Sequence, residues 1–226
     1  MNKVIFVSFD KLLFHEILDL KRLDRVKNSL SEEKVLREIP VAIERYGKYL
    51  ILDGAHRTHA LFELGIGSIP IQIVEKHEEE KITIGTWKHS IKNEKVIQEL
   101  KKVCLQNKVH SKEQINIATI YTKNSVVKFD CINNSLSTKV KIMHDLYNTY
   151  VNSETEIRRL SSFTKSMQTE MVGNEAVIEY YIFSLTDIFQ LADNNLLLPS
   201  GVTRINVPNK LDQANLNISI KHLSYN

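Results

Sequence analysis

The 226-residue chain is 42% hydrophobic and 25% charged, an ordinary balance for a globular protein that excludes a fibrous repeat or a wholly disordered chain. Its 30 basic and 27 acidic residues leave a net charge of +3, too even to announce a nucleic-acid partner. No run approaches the roughly 18 apolar residues of a membrane helix, and the start MNKVIFVSFDKLLFHE lacks the apolar core of a secretion signal, so a cytoplasmic protein without a membrane partner is expected. Cys104 and Cys131 are far apart without a CxxC spacing, which fits reduced thiols and signals neither zinc nor a redox dithiol.

In chain order, the β-branched run Lys3 to Ser8 predicts a buried strand, and Leu23, Val26 and Leu30 at spacings of three and four predict an amphipathic helix from Leu20. Val41 to Ile43 and Tyr49 to Leu52, parted by Tyr46-Gly47-Lys48, read as a β-hairpin. Asp53-Gly54 then opens a helix from about Ala55 to Leu64 that stops at Gly65, and Ile71 to Val74 reads as another strand. Beyond the charged connector Lys76 to Lys81, helices are predicted over Glu94 to Val103, Lys139 to Tyr150, Glu154 to Ser161 and Thr186 to Asn194, the last with Thr186 as its cap. Strands are predicted over Ile115 to Tyr121, Val126 to Phe129 and Val202 to Val207, with Ala176 to Phe183 apolar again and a final strand in the alternating tail from Asn209.

The segment LDGAHRTHALFELG carries the clearest chemistry. A glycine lets a ligand approach the backbone, the first amides of a helix point outward with the positive end of its dipole, and His56 and Arg57 add side-chain donors, so an anion such as phosphate fits the turn. Asp53 has the wrong sign for an anion; it fits if it holds Mg²⁺ or takes a proton from an attacking hydroxyl. The alternative is structural, with Asp53 capping the helix and His56 and Arg57 making surface hydrogen bonds. Glu16, beside His15, is either a carboxylate in a cleft or solvated surface; Trp87 is a core anchor or a ligand platform; Arg204 is an oxyanion clamp or half of a structural salt bridge. There is no GxxxxGK[ST], GxSxG or HExxH motif.

Taken with the hairpin before it and SIPIQIV after it, the Asp-Gly-x-His-Arg turn resembles the ParB/sulfiredoxin-like fold. Three further islands, Phe14-His15-Glu16, Gly85 to His89 (GTWKH) and Leu198 to Val207 (LPSGVTRINV), appear in the order found in the free serine kinases, which the chain therefore resembles over most of its length. The resemblance implies an α+β protein with a ParB/sulfiredoxin-like nucleotide-binding domain at 1–92 and a mixed α/β region at 93–226 whose 199–207 segment returns to the active site. It implies a kinase that makes O-phospho-L-serine from free L-serine with ATP or ADP and Mg²⁺, supplying 2,3-diaminopropionate or siderophore-type biosynthesis. Position by position it assigns catalysis to Glu16 and Asp53, nucleotide phosphates to Gly54, Ala55, His56 and Arg57, Mg²⁺ to Asp53, and substrate to Trp87, His89, Thr203 and Arg204. L-serine and a nucleotide are the expected partners, and a homodimer is left open. Position 55 is Ala, so only a backbone contact is expected there. The competing readings are a ParB-like DNA-binding regulator, for which no helix-turn-helix is evident, and a sulfiredoxin-like reductase, for which no cysteine lies near the turn in sequence.

Overall fold

The computed structural model describes residues 3–106, 114–151, 155–211 and 218–219. The chain forms an α+β structure of two compact units, one comprising 1–83, 188–200 and 205–226, the other 84–187 and 201–204. No helix among the described residues is long and apolar enough to cross a membrane.

The first unit is built from β1 (Lys3–Ser8), β2 (Leu12–Leu13), α1 (Leu20–Glu33), β3 (Val35–Leu36), β4 (Val41–Arg45), β5 (Lys48–Asp53), α2 (Ala55–Glu63) and β6 (Ser68–Ile73). Its sheet runs β1-β6-β4-β5-β2, antiparallel at β1/β6 and β4/β5 and parallel at β4/β6 and β5/β2. The β4–β5 hairpin turns through Tyr46 and Gly47, both at positive φ (53° and 76°), the two-residue geometry that suits the twist of paired strands. Asp19 caps α1 by accepting from the Arg22 N–H at 3.1 Å. The stripe predicted for α1 points inward: Leu23 and Leu30 are buried with Leu61 of α2 and with Ile51, Ile69 and Ile71 of the sheet. Each fully buried Leu or Ile contributes about 2 kcal/mol by leaving water.

The second unit contains β7 (Thr83–Thr86, starting one residue before the unit boundary), β8 (Lys88–Lys92), α3 (Glu94–Gln106), β9 (Ile115–Thr122), β10 (Ser125–Cys131), α4 (Leu136–Val151), β11 (Ile157–Leu160), α5 (Lys165–Glu170) and β12 (Glu175–Tyr180). Its five-stranded sheet runs β10-β9-β12-β8-β11, every neighbouring pair antiparallel. Ile91, Ile97, Leu100, Ile117, Ile120, Leu146, Tyr150 and Ile178 form its interior. Further on lie α6 (Leu185–Asp193), β13 (Thr203–Asn206) and β14 (Ile218–Ser219).

Two local expectations are corrected. The stretch predicted as a helix over 154–161 is strand β11 at 157–160, because its backbone pairs with β8 from Ile157/Ile91 to Leu160/Lys88. The cap of α6 is Ser184, not Thr186: Ser184 Oγ accepts from the Asp187 N–H at 3.1 Å while Asp187 Oδ2 accepts from the Ser184 N–H at 3.0 Å, a reciprocal capping box. The predicted final strand falls partly at 212–217, outside the described residues; within it, β14 pairs with β3.

Candidate functional site

Strand β5 delivers Asp53, and the chain then turns through Gly54 into α2. Gly54 is the N-cap with φ 92° and ψ 20°, and no side chain caps the helix there. The first helical bond runs from Thr58 N–H to Gly54 O at 2.9 Å, which leaves the amides of the first turn without helical acceptors. A Cβ on Gly54 would lie 3.0 Å from Pro40 Cα and 3.1 Å from an Arg57 guanidinium nitrogen, so glycine is required by backbone angle and by space.

Asp53 does not cap the helix. Its Oδ2 accepts from Lys210 Nζ at 2.8 Å and from Arg57 at 3.2 Å. Burial pushes this carboxyl up, but the Lys210 hydrogen bond and the Arg57 and Lys210 charges outweigh it and hold Asp53 below the usual range, as a carboxylate. The other arm of Arg57 pairs with Glu38. Neither Lys210 nor Glu38 is legible in a motif. Lys210 is brought to Asp53 by the buried Gln72 of β6, whose Nε2 donates to Asn209 O and whose Oε1 accepts from the Leu211 N–H, both at 2.9 Å. The one sequence signal for this strap was a lone amide inside the apolar strand SIPIQI.

Glu16 is placed by its neighbours. The buried His15 donates from Nδ1 to Ile51 O of β5 at 3.1 Å, and burial pulls its pKa down, so it is a neutral peg. On the far side of Glu16, the Asp19 N–H donates to His56 Nε2 at 3.2 Å. His56 therefore carries its ring proton on Nδ1, and Nε2 is an acceptor within the fold. Between these pegs Leu198 N–H donates to His15 O and Ile17 N–H donates to Leu198 O, both at 2.8 Å, fixing the backbone at Glu16 from either side. Glu16 itself lines a cavity of about 380 Å³ with Leu12, Leu13, Phe14, Ile17, Leu18, Leu20 and His59, and residues 53–57 are not in that wall. His59 is a site candidate that motif reading missed; it packs against Phe14 and Phe9, with ring centres 4.2 and 5.0 Å away, and burial lowers its pKa.

The remaining sequence candidates, Trp87, His89, Thr203 and Arg204, belong to the second unit. Trp87 N–H donates to Val202 O at 3.0 Å, the Arg204 guanidinium lies 5.1 Å from the Trp87 ring centre, and Arg204 donates to Ser161 O at 3.1 Å. The two residues therefore hold each other, and the structural salt bridge considered for Arg204 is a stacked cation instead. His89 is fully buried, with Nε2 2.8 Å from Gly201 O and Nδ1 2.7 Å from Tyr150 Oη. A carbonyl only accepts, so Nε2 carries the proton; Nδ1 accepts from Tyr150, and Tyr180, 2.8 Å farther on, donates to Tyr150. A ligand could reach the ring nitrogens of His89 only by displacing these partners. Cys104 and Cys131 are both free and buried, and burial raises the Cys104 thiol to about 11, which disfavours a thiolate nucleophile.

Burial lowers His89 to about 4, against the opposing pull of the Gly201 carbonyl and with help from the Arg159 charge. A depressed histidine stabilises the fold above its unfolded pKa of about 6.5, and that contribution is lost as pH falls toward 4, about 3 kcal/mol in full. Urea unfolding across this range should show wild-type stability falling more steeply than that of His89→Gln. Parallel profiles would remove His89 as the source.

No family model matches the chain. It is 35% identical over 86 residues to the ATP-dependent L-serine kinase SbnI of Staphylococcus aureus, a match covering 38% of this chain and 33% of that protein. It is 32% identical over 103 residues to the ATP-dependent L-serine kinase of Staphylothermus marinus, covering 43% of this chain and 40% of the relative. The matched stretches thus span only a third to two fifths of these curated relatives. Among solved structures, C-terminally truncated SbnI from Staphylococcus aureus superposes with a TM-score of 0.80 at 17% identity, over 99% of this chain and 90% of that one. The chain has the serine-kinase fold. A free serine kinase in complex with AMP adds a TM-score of 0.73 at 18% identity, over 97% of this chain and 93% of that one. The serine-kinase fold therefore extends over nearly the whole chain, whereas the sequence matches to curated serine kinases are regional.

Proposed function

We propose that the chain is a cytoplasmic kinase that phosphorylates free L-serine to O-phospho-L-serine with ATP or ADP, supplying 2,3-diaminopropionate or siderophore-type biosynthesis. The observation that carries this reading is the clamped, cavity-lining Glu16, tied through His15 and Asp19 to the strand and helix that flank the Asp53–Arg57 turn. The 32–35% identity to two L-serine kinases and the nucleotide complex of a protein with this fold supply the substrate class.

In this reading the first-turn amides of α2 and Arg57 bind the donor's phosphates, where the helix dipole and a forked cation favour negative charge. Glu16 takes the proton from the serine hydroxyl as its oxygen bonds to the terminal phosphorus and the bond from that phosphorus to the nucleotide's bridging oxygen breaks. Positioning and charge neutralisation supply most of the acceleration. Trp87, His89, Thr203 and Arg204 keep serine binding as their proposed role, His89 through the Gly201 backbone it supports.

Mg²⁺ fits the turn in a limited way. Among the described residues no group of three or more His, Cys, Asp or Glu is placed to hold a metal, and Asp53 already meets Lys210 and Arg57. That suits an ion held chiefly by nucleotide phosphates with one carboxylate contact, a common arrangement for Mg²⁺. When bound, it would neutralise phosphate oxygens, with Asp53 as the acidic group the turn offers.

Phosphorus NMR of the purified protein with L-serine, Mg²⁺ and either ATP or ADP should show a phosphoserine resonance with at least one donor. Its absence with both, in protein that binds nucleotide, would leave the kinase reading without support.

A further inference from the structure

Arg159 stands in β11 directly opposite His89 of β8, and residues paired across strands leave the sheet on the same face. On that face its guanidinium packs against the Gly201 backbone: a Cβ built on Gly201 would overlap the Nε, Cζ and a terminal nitrogen of Arg159. Gly201 also has φ +69°, so the backbone angle and the guanidinium both require glycine there.

What the Arg159 Nε–H lacks is an acceptor. It is buried with no hydrogen-bond partner, and no ion pair or ring contact engages the side chain among the described residues. Several other cations have partners: Arg57, whose own Nε–H is likewise buried and unpartnered, has Glu38 and Asp53, Arg45 has Glu79, Lys88 has Glu179 at 3.1 Å, and Arg204 has the Trp87 ring. His89 offers Arg159 nothing, since it is neutral and both its nitrogens are engaged. A buried N–H without an acceptor costs about 1–3 kcal/mol, and the guanidinium's planar fork of donors matches the two oxygens of a carboxylate or phosphoryl group.

We propose that Arg159 binds an oxyanion of the reactants, either the carboxylate of the amino acid or a phosphoryl group of the nucleotide, and that Gly201 is glycine so that the guanidinium can lie against the backbone. This assignment rests on the kinase reading for its ligands, and it adds Arg159 to the substrate-binding residues proposed above.

The test uses the ¹⁵N-labelled full chain, with the Arg159 Nε–H resonance assigned by triple-resonance NMR and followed during titration with L-serine, ethanolamine, ADP and inorganic phosphate. A shift with L-serine but not with ethanolamine, which lacks only the carboxylate, assigns the amino acid's carboxylate. A shift with ADP or phosphate alone assigns the phosphoryl group. An unmoved resonance with all of them overturns the proposal. Kinetically, Arg159→Lys should raise KM for the matching reactant by about tenfold or more and leave kcat within a few-fold, and an unchanged KM for both reactants also overturns it. The resonance needs no turnover, so a protein that makes no phosphoserine yet shifts on adding an anion would fail as a serine kinase while keeping its anion site.

Discussion

Glu16→Gln is expected to lower kcat for serine phosphorylation by about 10²–10⁴-fold, the usual contribution of a positioned general base, while nucleotide affinity stays within a few-fold. The separation of the two effects follows from how Glu16 is held. Its loop is fixed by backbone bonds to Leu198, by the His15 contact to Ile51 O and by the Asp19 contact to His56, none of which uses the Glu16 carboxylate. Glutamine matches the size and shape of glutamate and keeps an oxygen for hydrogen bonding, so the loop is retained and only the capacity to accept a proton is removed. Steady-state kinetics combined with calorimetric nucleotide titration reads both quantities. A variant that turns over at the wild-type rate would take Glu16 out of the role of base.

Gly54→Ala should destabilise the protein by roughly 2–4 kcal/mol and weaken nucleotide binding at the same time. Alanine at φ 92° incurs the left-handed penalty, and its methyl group would meet Pro40 Cα at 3.0 Å, a backbone atom that cannot rotate away. The softer neighbour is the Arg57 guanidinium at 3.1 Å, so part of the strain should be relieved by moving Arg57 from Asp53 and Glu38. The expected signature is a lower urea midpoint together with a raised nucleotide Kd under conditions where the variant is still folded. Loss of stability with unaltered nucleotide affinity would detach the turn from phosphate binding.

The parts of the structure that were legible in the sequence are those in which local pattern and tertiary environment agree. The hairpin carried its Tyr-Gly turn, α1 its stripe of Leu23, Val26 and Leu30, and α2 its Asp-Gly entry and Gly65 exit, each within a dozen residues. Residues 157–160 depart from the helix expected there because IRRL carries no strong pattern of its own, and its strand conformation comes from pairing with β8. In the candidate site, the turn and Glu16 were named from motifs, but their supports were not. Lys210 lies 157 residues from Asp53, and Leu198 pairs with the Glu16 backbone through main-chain atoms that leave no mark on residue type. His89 was visible as a motif residue, whereas its partners Tyr150 and Gly201 stand 61 and 112 residues farther along.

The Leu198 bridge also bears on the order in which the protein can be made. The backbone on either side of Glu16 is hydrogen-bonded to a residue that leaves the ribosome some 180 positions later. An emerging chain can complete the β4–β5 hairpin and α2 from neighbouring sequence, but the backbone around Glu16 cannot be pinned until Leu198 has been synthesised. Closing so long a loop is slow and comes late, so the turn proposed to hold phosphate can form well before the backbone around Glu16, the proposed base, is fixed.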